Sequence, residues 1–482
     1  MGAVMNKIML AQLPSPPGKN VFREWAGGMG TALPSARTDW GHDQQFYDIP
    51  LLALLYIAAG LRAAGADLLY RDFQDSARLD LASFDASLAD GVGVLITQVN
   101  LPSLEHDIEL LRRARAAAPG LRVLLFGPSA KWFAERLLRE GIADAVVEEA
   151  EELLSAANAL ALRDGRTDEL QGCAVWRDGA VAHLPAQARM RDLDFIEFPA
   201  YDLLDFSRYE SDYYLDRRYR YATVFTTKGC PYKCGYCPYP YGFGKRLIYR
   251  SPARVADDIA RLQSEFGVGQ ILFRDQVFTV NPRHTKAVCE AIIARGIDIM
   301  WVCETRYDLI DAELLELMWR AGCREIHFGL ESADAEMFAA VAKSDGKPSL
   351  DRFAEVIALT RRQGMRAHVH LIVGLPDESR TSLRNTARWL RDVRPDSVQL
   401  AYFVPYPGTP LFEELRASGE LGDIDRIDWE SFGSFTNPVI PTRHLTIEQV
   451  RRGRERLAVD WQFSLADRIV NKVRRLAGLR AA

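Results

Sequence analysis

Residues 227–238 read Thr-Lys-Gly-Cys-Pro-Tyr-Lys-Cys-Gly-Tyr-Cys-Pro, and three of the chain's seven cysteines, Cys230, Cys234 and Cys237, fall inside this one stretch. Scattered at random, seven cysteines would give the Cys-x-x-x-Cys-x-x-Cys spacing in roughly one chain in a thousand. Three thiolates on a tight loop hold three corners of an iron-sulfur cube, and the missing fourth cysteine leaves one iron open to a ligand that is not protein. The rival use of such a loop, a structural zinc site, needs a fourth ligand, commonly from a second Cys-x-x-Cys or a His pair downstream. The sequence has neither. Cys173, Cys289, Cys303 and Cys323 are isolated from one another, and the last three stand beside apolar residues, where a free cysteine packs as a small hydrophobe.

Around the cysteines, from Tyr221 to about Pro410, the pattern is strand, loop, helix, several times over. Strands are expected at Tyr221–Thr227, Gln270–Phe273, Ile299–Cys303, Glu325–Gly329, Ala367–Val373 and Ser397–Phe403. Ser251 and Pro252 open a helix as N-cap and first residue, and Val255, Ile259 and Leu262 form its apolar stripe. Six such units make an open or partial (β/α)6 barrel, in which catalytic groups gather beyond the carboxyl ends of the strands. Polar groups stand there in this sequence. Phe273-Arg274-Asp275-Gln276 follows the second strand, Glu304-Thr305-Arg306 the third, Glu331-Ser332 the fourth, Gly374-Leu375-Pro376 the fifth and Tyr406 to Pro410 the sixth. His368 and His370 alternate along the fifth strand and share one face. An inward His370 serves as acid or base near a substrate, or else as a hydrogen-bonded core residue.

Upstream, residues 7 to about 155 alternate short apolar runs with helical patterns, which predicts a doubly wound parallel sheet. Its strands are expected at Lys7–Leu13, Ala66–Asp72, Gly93–Gln98, Arg122–Gly127 and Ala143–Val147, and ligands collect at the carboxyl ends of such strands. The expected organisation is therefore α/β: a Rossmann-like domain over 1–155, a connecting region over 156–218 with a hairpin turning at Asp178-Gly179, the barrel over 219–410 and a helical region over 411–482.

The cysteine loop resembles the cluster-binding signature of the radical SAM superfamily, with the aromatic Tyr236 directly before the last cysteine. The resemblance implies a 4Fe-4S cluster on Cys230, Cys234 and Cys237, with S-adenosylmethionine chelating the fourth iron. An electron from the cluster then yields a 5'-deoxyadenosyl radical that abstracts hydrogen from unactivated carbon. It also implies a low-potential electron donor of the flavodoxin or ferredoxin type. The residues from Phe273 to Gln276 correspond to the family's amine-contacting segment and Gly374, Leu375 and Pro376 to its adenine-contacting strand, with Tyr236 as an adenine neighbour. The cofactor's own charges set the remaining demands: Asp275 with Glu304 or Glu331 answers the amine and ribose, Arg306 the carboxylate, and Ser332 completes the fourth strand end. The aromatic run Pro238 to Gly244 is also typical of this family and could wall a radical off from solvent.

The first 150 residues resemble the cobalamin-binding domain that precedes the radical domain in one branch of that superfamily. They carry the helix opening at Pro50 and the Phe-Gly-Pro turn at Phe126, but no Asp-x-His-x-x-Gly occurs, and Glu148-Glu149-Ala150-Glu151 stands where Gly-Glu-x-Glu is usual. Two activities follow. One is cobalamin-dependent C-methyl transfer to a small molecule; the other is cobalamin-independent radical dehydration of a diol, as in aminoglycoside-type sugars. A tRNA methylthiotransferase would need three further N-terminal cysteines, and none precedes Cys173.

Composition narrows the partners. A net charge of −5 over 482 residues gives no general attraction to nucleic acid or to anionic membrane. The ten basic residues against four acidic ones from Arg443 onward fit a solvated helix face. The longest apolar run, Leu51–Leu61, is about half a membrane span, and the first residues lack a secretory pattern, so a cytoplasmic location with reduced thiols is expected.

Overall fold

Two mainly parallel sheets, sharing an apolar core, organise the computed structural model, which describes residues 6–34, 49–73, 81–187, 192–211, 219–341 and 348–462. The first begins with β1 (Lys7–Gln12), buried but for its first residue. A hairpin of β2 (Lys19–Phe22) and β3 (Thr31–Pro34) follows, then β4 (Leu68–Asp72), β5 (Val92–Gln98), β6 (Arg122–Phe126) and β7 (Ala145–Val147). The parallel order is β4-β1-β5-β6-β7, and β1 and β5 read as continuous apolar runs because helices cover both faces.

Residues 156–218 do more than connect. The helix Glu151–Arg163 runs across the boundary at 155, and β8 (Cys173–Arg177) and β9 (Ala180–Leu184) add two antiparallel strands beyond β7. The expected turn is present, with Asp178 and Gly179 at φ 51° and 79°, the left-handed pair that a two-residue hairpin needs. Pairing covers the β7 edge, which would otherwise expose a row of unpaired backbone groups.

The second sheet consists of β10 (Glu210–Ser211), β11 (Tyr219–Val224), β14 (Gln270–Phe273), β15 (Met300–Thr305), β16 (Cys323–Glu331), β17 (Arg366–Val373) and β18 (Ser397–Tyr402), paired in that order. A two-stranded ribbon of β12 (Thr227–Lys228) and β13 (Ile248–Tyr249) branches from its start. From β11 to β18 every neighbour pair is parallel and the strands follow chain order, the open six-stranded wall expected from the sequence. Its first crossover helix, Pro252–Phe266, starts at the Ser251 cap, buries Val255, Ile259 and Leu262, and stops at Gly267 with φ 66°. Past Pro410 helices occur at Pro410–Ala417 and Ile447–Gln462, and the stretch between them, broken by Gly419, Gly422, Pro438 and Pro441, is irregular.

Buried polar links tie the sheets together. Lys228, one residue before the loop glycine, pairs with Glu152 of the first unit, and the Tyr209 hydroxyl donates to Asp72. Lys131 Nζ donates to the Gly242 carbonyl over 3.2 Å. Among the described residues no helix is long and apolar enough to cross a membrane.

Candidate active site

The cysteine loop is closed before its first cysteine. β12 and β13 pair antiparallel, and the Cys230 N–H donates to the Gly244 carbonyl over 3.1 Å, so the chain leaves and returns at one point. Gly229 at the neck has φ 91°, and a Cβ there would lie 2.0 Å from the Arg246 carbonyl oxygen. The strand exit is pinned by Asp275, whose carboxylate accepts the N–H and hydroxyl of both Thr226 and Thr227 at 2.5–3.0 Å.

Four expected ligand contacts are thereby relocated. Asp275 is 1% exposed with its oxygens committed to those threonines, so it positions the loop and does not face the pocket. Phe273 packs in the core against Phe278 and Trp301, ring centroids 4.8 and 5.3 Å away, because its side chain falls on the helix-covered face of β14. Ser332 is buried and its hydroxyl accepts the Asp334 N–H. Gly374, at φ 94°, donates its N–H to Glu378 and backs onto Val450.

Most of the remaining groups converge on one cavity of about 310 Å³. Cys230, Cys234 and Cys237 form one wall with Tyr236. Gln276, Glu304, Arg306, Glu331 and His370 face it from the ends of β14 to β17. Leu375 and Pro376 line a neighbouring cavity of about 740 Å³ on the other side of Tyr236.

Electrostatics separates the two acids. Burial pushes Glu331 up to about 7, Glu304 adding to the rise while the Tyr236 hydroxyl, 2.6 Å away, opposes it. Burial acts on Glu304 too, but Arg274, 3.3 Å away, outweighs it with help from His370 and His327 and holds that carboxyl below its usual range. Glu331 itself sits at φ 64° beside a register shift between β16 and β17, a strained bulge that turns its carboxylate back over Gly329. Arg306 lies 4.2 Å from the centre of the Tyr232 ring, fixed by a two-point pair with Asp308 at 3.0 and 2.7 Å. Burial, with Glu331 next, pushes the Cys234 thiol up to about 11, and burial moves Cys230 and Cys237 the same way, while Arg306 opposes the rise at Cys230 and Cys234. Three thiolates are stable together here only against a metal's charge, which is the donor set an iron-sulfur cluster takes.

Several lining residues escaped the sequence reading. Trp25, Ala26 and Gly27, from the loop after β2, roof the cavity although they belong to the first unit. A Cβ on Gly27 would lie 3.0 Å from the Tyr239 backbone, so the roof touches the aromatic run that follows the cysteines. His327 and Gln399 also line it. His327 was legible in principle, since it alternates with Gly329 and Glu331 along one strand face; no local pattern marked the roof.

Fold and site together define a two-unit α/β protein whose cysteine-walled pocket lies at the mouth of a half-barrel. The family model described as Radical SAM superfamily matches residues 224–390, and that described as B12 binding domain matches residues 45–158. An uncharacterized methyltransferase, PH0819 of Pyrococcus horikoshii, is 28% identical over 456 residues, 92% of this chain and 91% of that protein. A hopanoid C-3 methylase of Methylococcus capsulatus is 27% identical over 83% of this chain and 74% of its own length. The solved structure of the radical S-adenosylmethionine methyltransferase TsrM from Kitasatospora setae, with cobalamin and a 4Fe-4S cluster bound, shares the fold: TM-score 0.70 and 15% identity, covering 96% of this chain and 90% of that one. The chain therefore carries both a radical SAM domain and a B12-binding-type domain, and is an enzyme of the radical SAM class, using a 4Fe-4S cluster and S-adenosylmethionine.

Proposed function

We propose that this enzyme transfers a methyl group, drawn from cobalamin, to a carbon of a small secondary-metabolite-type substrate. One observation carries the reading: the thiols, the two acids and the roof contributed by the B12-binding-type unit line a single cavity. The relatives' names, methyltransferase and hopanoid C-3 methylase, point the same way and do not favour the dehydratase alternative.

When bound, the cluster and S-adenosylmethionine supply a carbon-centred radical and cobalamin supplies the methyl group. Cys230, Cys234 and Cys237 would hold the cluster. Arg306, stacked on Tyr232, offsets charge beside Cys230 and Cys234. Glu304, ionised next to Arg274, and Glu331, poised near neutrality, would receive the cationic amine and sulfonium, whose arrival favours the Glu331 carboxylate. Tyr236, Leu375 and Pro376 would wall the adenine, and Trp25 with Tyr239, which also line the cavity, would limit the access of water.

The corrinoid fits less readily. Its expected place is the carboxyl edge of the first sheet, where the Gln98 amide already donates to the Gly28 carbonyl over 2.6 Å and the Trp25–Met29 segment covers the strand ends. The test is anaerobic purification with hydroxocobalamin: a retained corrinoid absorption band together with 5'-deoxyadenosine and S-adenosylhomocysteine formation is expected. Nucleoside release without the band would return the dehydratase reading. An electron donor of flavodoxin or ferredoxin type and a cytoplasmic setting belong to the same proposal.

A further inference from the structure

Three imidazoles meet on the inner face of the half-barrel. His327 on β16 is in register with His368 on β17, and His370 lies two residues further along the same face. Ring centroids are 4.4 Å apart for His327 and His368, 4.7 Å for His368 and His370, and 5.3 Å for His327 and His370. One nitrogen of each lies within 4.8 Å of the corresponding atom of the others.

Each ring also gives one nitrogen to an oxygen outside the cluster. His327 Nε2 is 2.9 Å from Glu325 Oε1, His368 Nδ1 2.6 Å from Ser397 Oγ, and His370 Nδ1 2.8 Å from Gln399 Oε1. An amide oxygen only accepts, so His370 carries its proton on Nδ1 and turns a lone pair outward on Nε2. That Nε2 is buried and has no partner. Burial holds both His368 and His370 below the usual imidazole range, His370 down to about 4, so neither repels a cation at neutral pH. Three imidazoles, each oriented from behind by an oxygen, are the donor set and outer support of a three-histidine metal site. Binding at about 2.0 Å per bond would draw the nitrogens to about 3.3 Å apart, a closure of up to about 1.5 Å.

We propose that His327, His368 and His370 bind one divalent cation of the zinc type, whose fourth position opens to the active-site cavity and takes an oxygen donor of the substrate. His327 and His370 line that cavity, and Glu304 faces the same two rings. The substrate clause rests on the radical methyltransferase reading; the metal clause does not. On this proposal the substrate carries a hydroxyl, carboxylate or phosphate oxygen, the metal fixes its orientation toward the radical source, and His370 is a ligand and not a proton carrier.

The test uses full-length protein in which Cys230, Cys234 and Cys237 are all changed to Ala, titrated with Co²⁺ alone. One cobalt per chain with the visible absorption of tetrahedral nitrogen ligation, displaced by Zn²⁺, is expected. Adding His370→Gln should remove it, and Gln399→Leu, which keeps all three ligands, should weaken it about 10–100-fold. Metal analysis of the unaltered enzyme should show one zinc beside the cluster iron. Cobalt uptake below about a tenth of an equivalent, or uptake indifferent to both His370→Gln and Gln399→Leu, overturns the proposal. Failure of the radical reading would look different: no 5'-deoxyadenosine from the unaltered enzyme while cobalt still binds the cysteine-free variant.

Discussion

The two sheets present their carboxyl edges in opposite states. At the edge of the first, polar groups are tied to the chain itself: Arg23 is held by Asp107 through two 2.8 Å bonds and by the Asn100 oxygen, while Asn100 and Gln98 both donate to the Gly28 carbonyl. At the edge of the second, Glu304, Glu331 and His370 face a cavity, Glu331 in a strained backbone and His370 with a buried unpartnered nitrogen. One α/β plan thus yields a sealed edge that supports a roof and an open edge whose unmet hydrogen-bonding capacity is available to ligands.

The largest effect should come from the open edge. Cys234→Ala is expected to abolish cluster iron and 5'-deoxyadenosine release, a loss beyond about 10³-fold, since the chemistry belongs to the cofactor; nucleoside release that persists would break the comparison at its centre. At the sealed edge the loss should be in stability. Arg23→Met leaves the fully buried Asp107 without its partner and should cost about 3–5 kcal/mol in urea unfolding, with nucleoside release per folded molecule unchanged. Should release fall in proportion instead, the first edge is part of the catalytic machinery.

Glu331→Gln keeps shape and a hydrogen-bond acceptor for Tyr236 but removes the charge, and a rate loss of about 10–100-fold, or about 1.4–2.7 kcal/mol, is expected in S-adenosylmethionine cleavage. The smallest effect concerns Glu378, which accepts the Gly374 N–H behind the open edge. Burial pushes its carboxyl up to about 8 from an ordinary 4.5. Between those values the folded protein holds a proton that the unfolded chain releases. Its contribution to stability is therefore complete below about pH 4.5 and disappears as pH rises through about 8. Stability should fall by about 1.4 kcal/mol from pH 6 to pH 7 on this account, and Glu378→Gln should remove that slope from pH-dependent unfolding curves.

Legibility in the sequence followed the range of the interaction. Strand periodicity located β14 at Gln270–Phe273 to the residue, and the Asp178-Gly179 turn was written in two adjacent residues. The hairpin's place as an extension of the first sheet was not, because pairing with β7 depends on an edge that only the assembled sheet exposes. At the site, Glu304, Arg306 and Glu331 stand at the cavity because strand ends in a barrel share one rim. Asp275 stands at the same kind of strand end, yet four donors from Thr226 and Thr227 claim it, a competition between residues some fifty positions apart that composition does not reveal.

By itself the sequence determined the class of this protein: a three-cysteine loop with one ligand too few, set in repeating strand–helix units, because thiol count and hydrophobic period are local properties. Only the tertiary structure decided which carboxylates face the cavity, which loop of the first unit covers the pocket, and that His327 joins His368 and His370 in one cluster. Those outcomes depend on burial and on partners distant in the chain, and both exist only once the two sheets have packed.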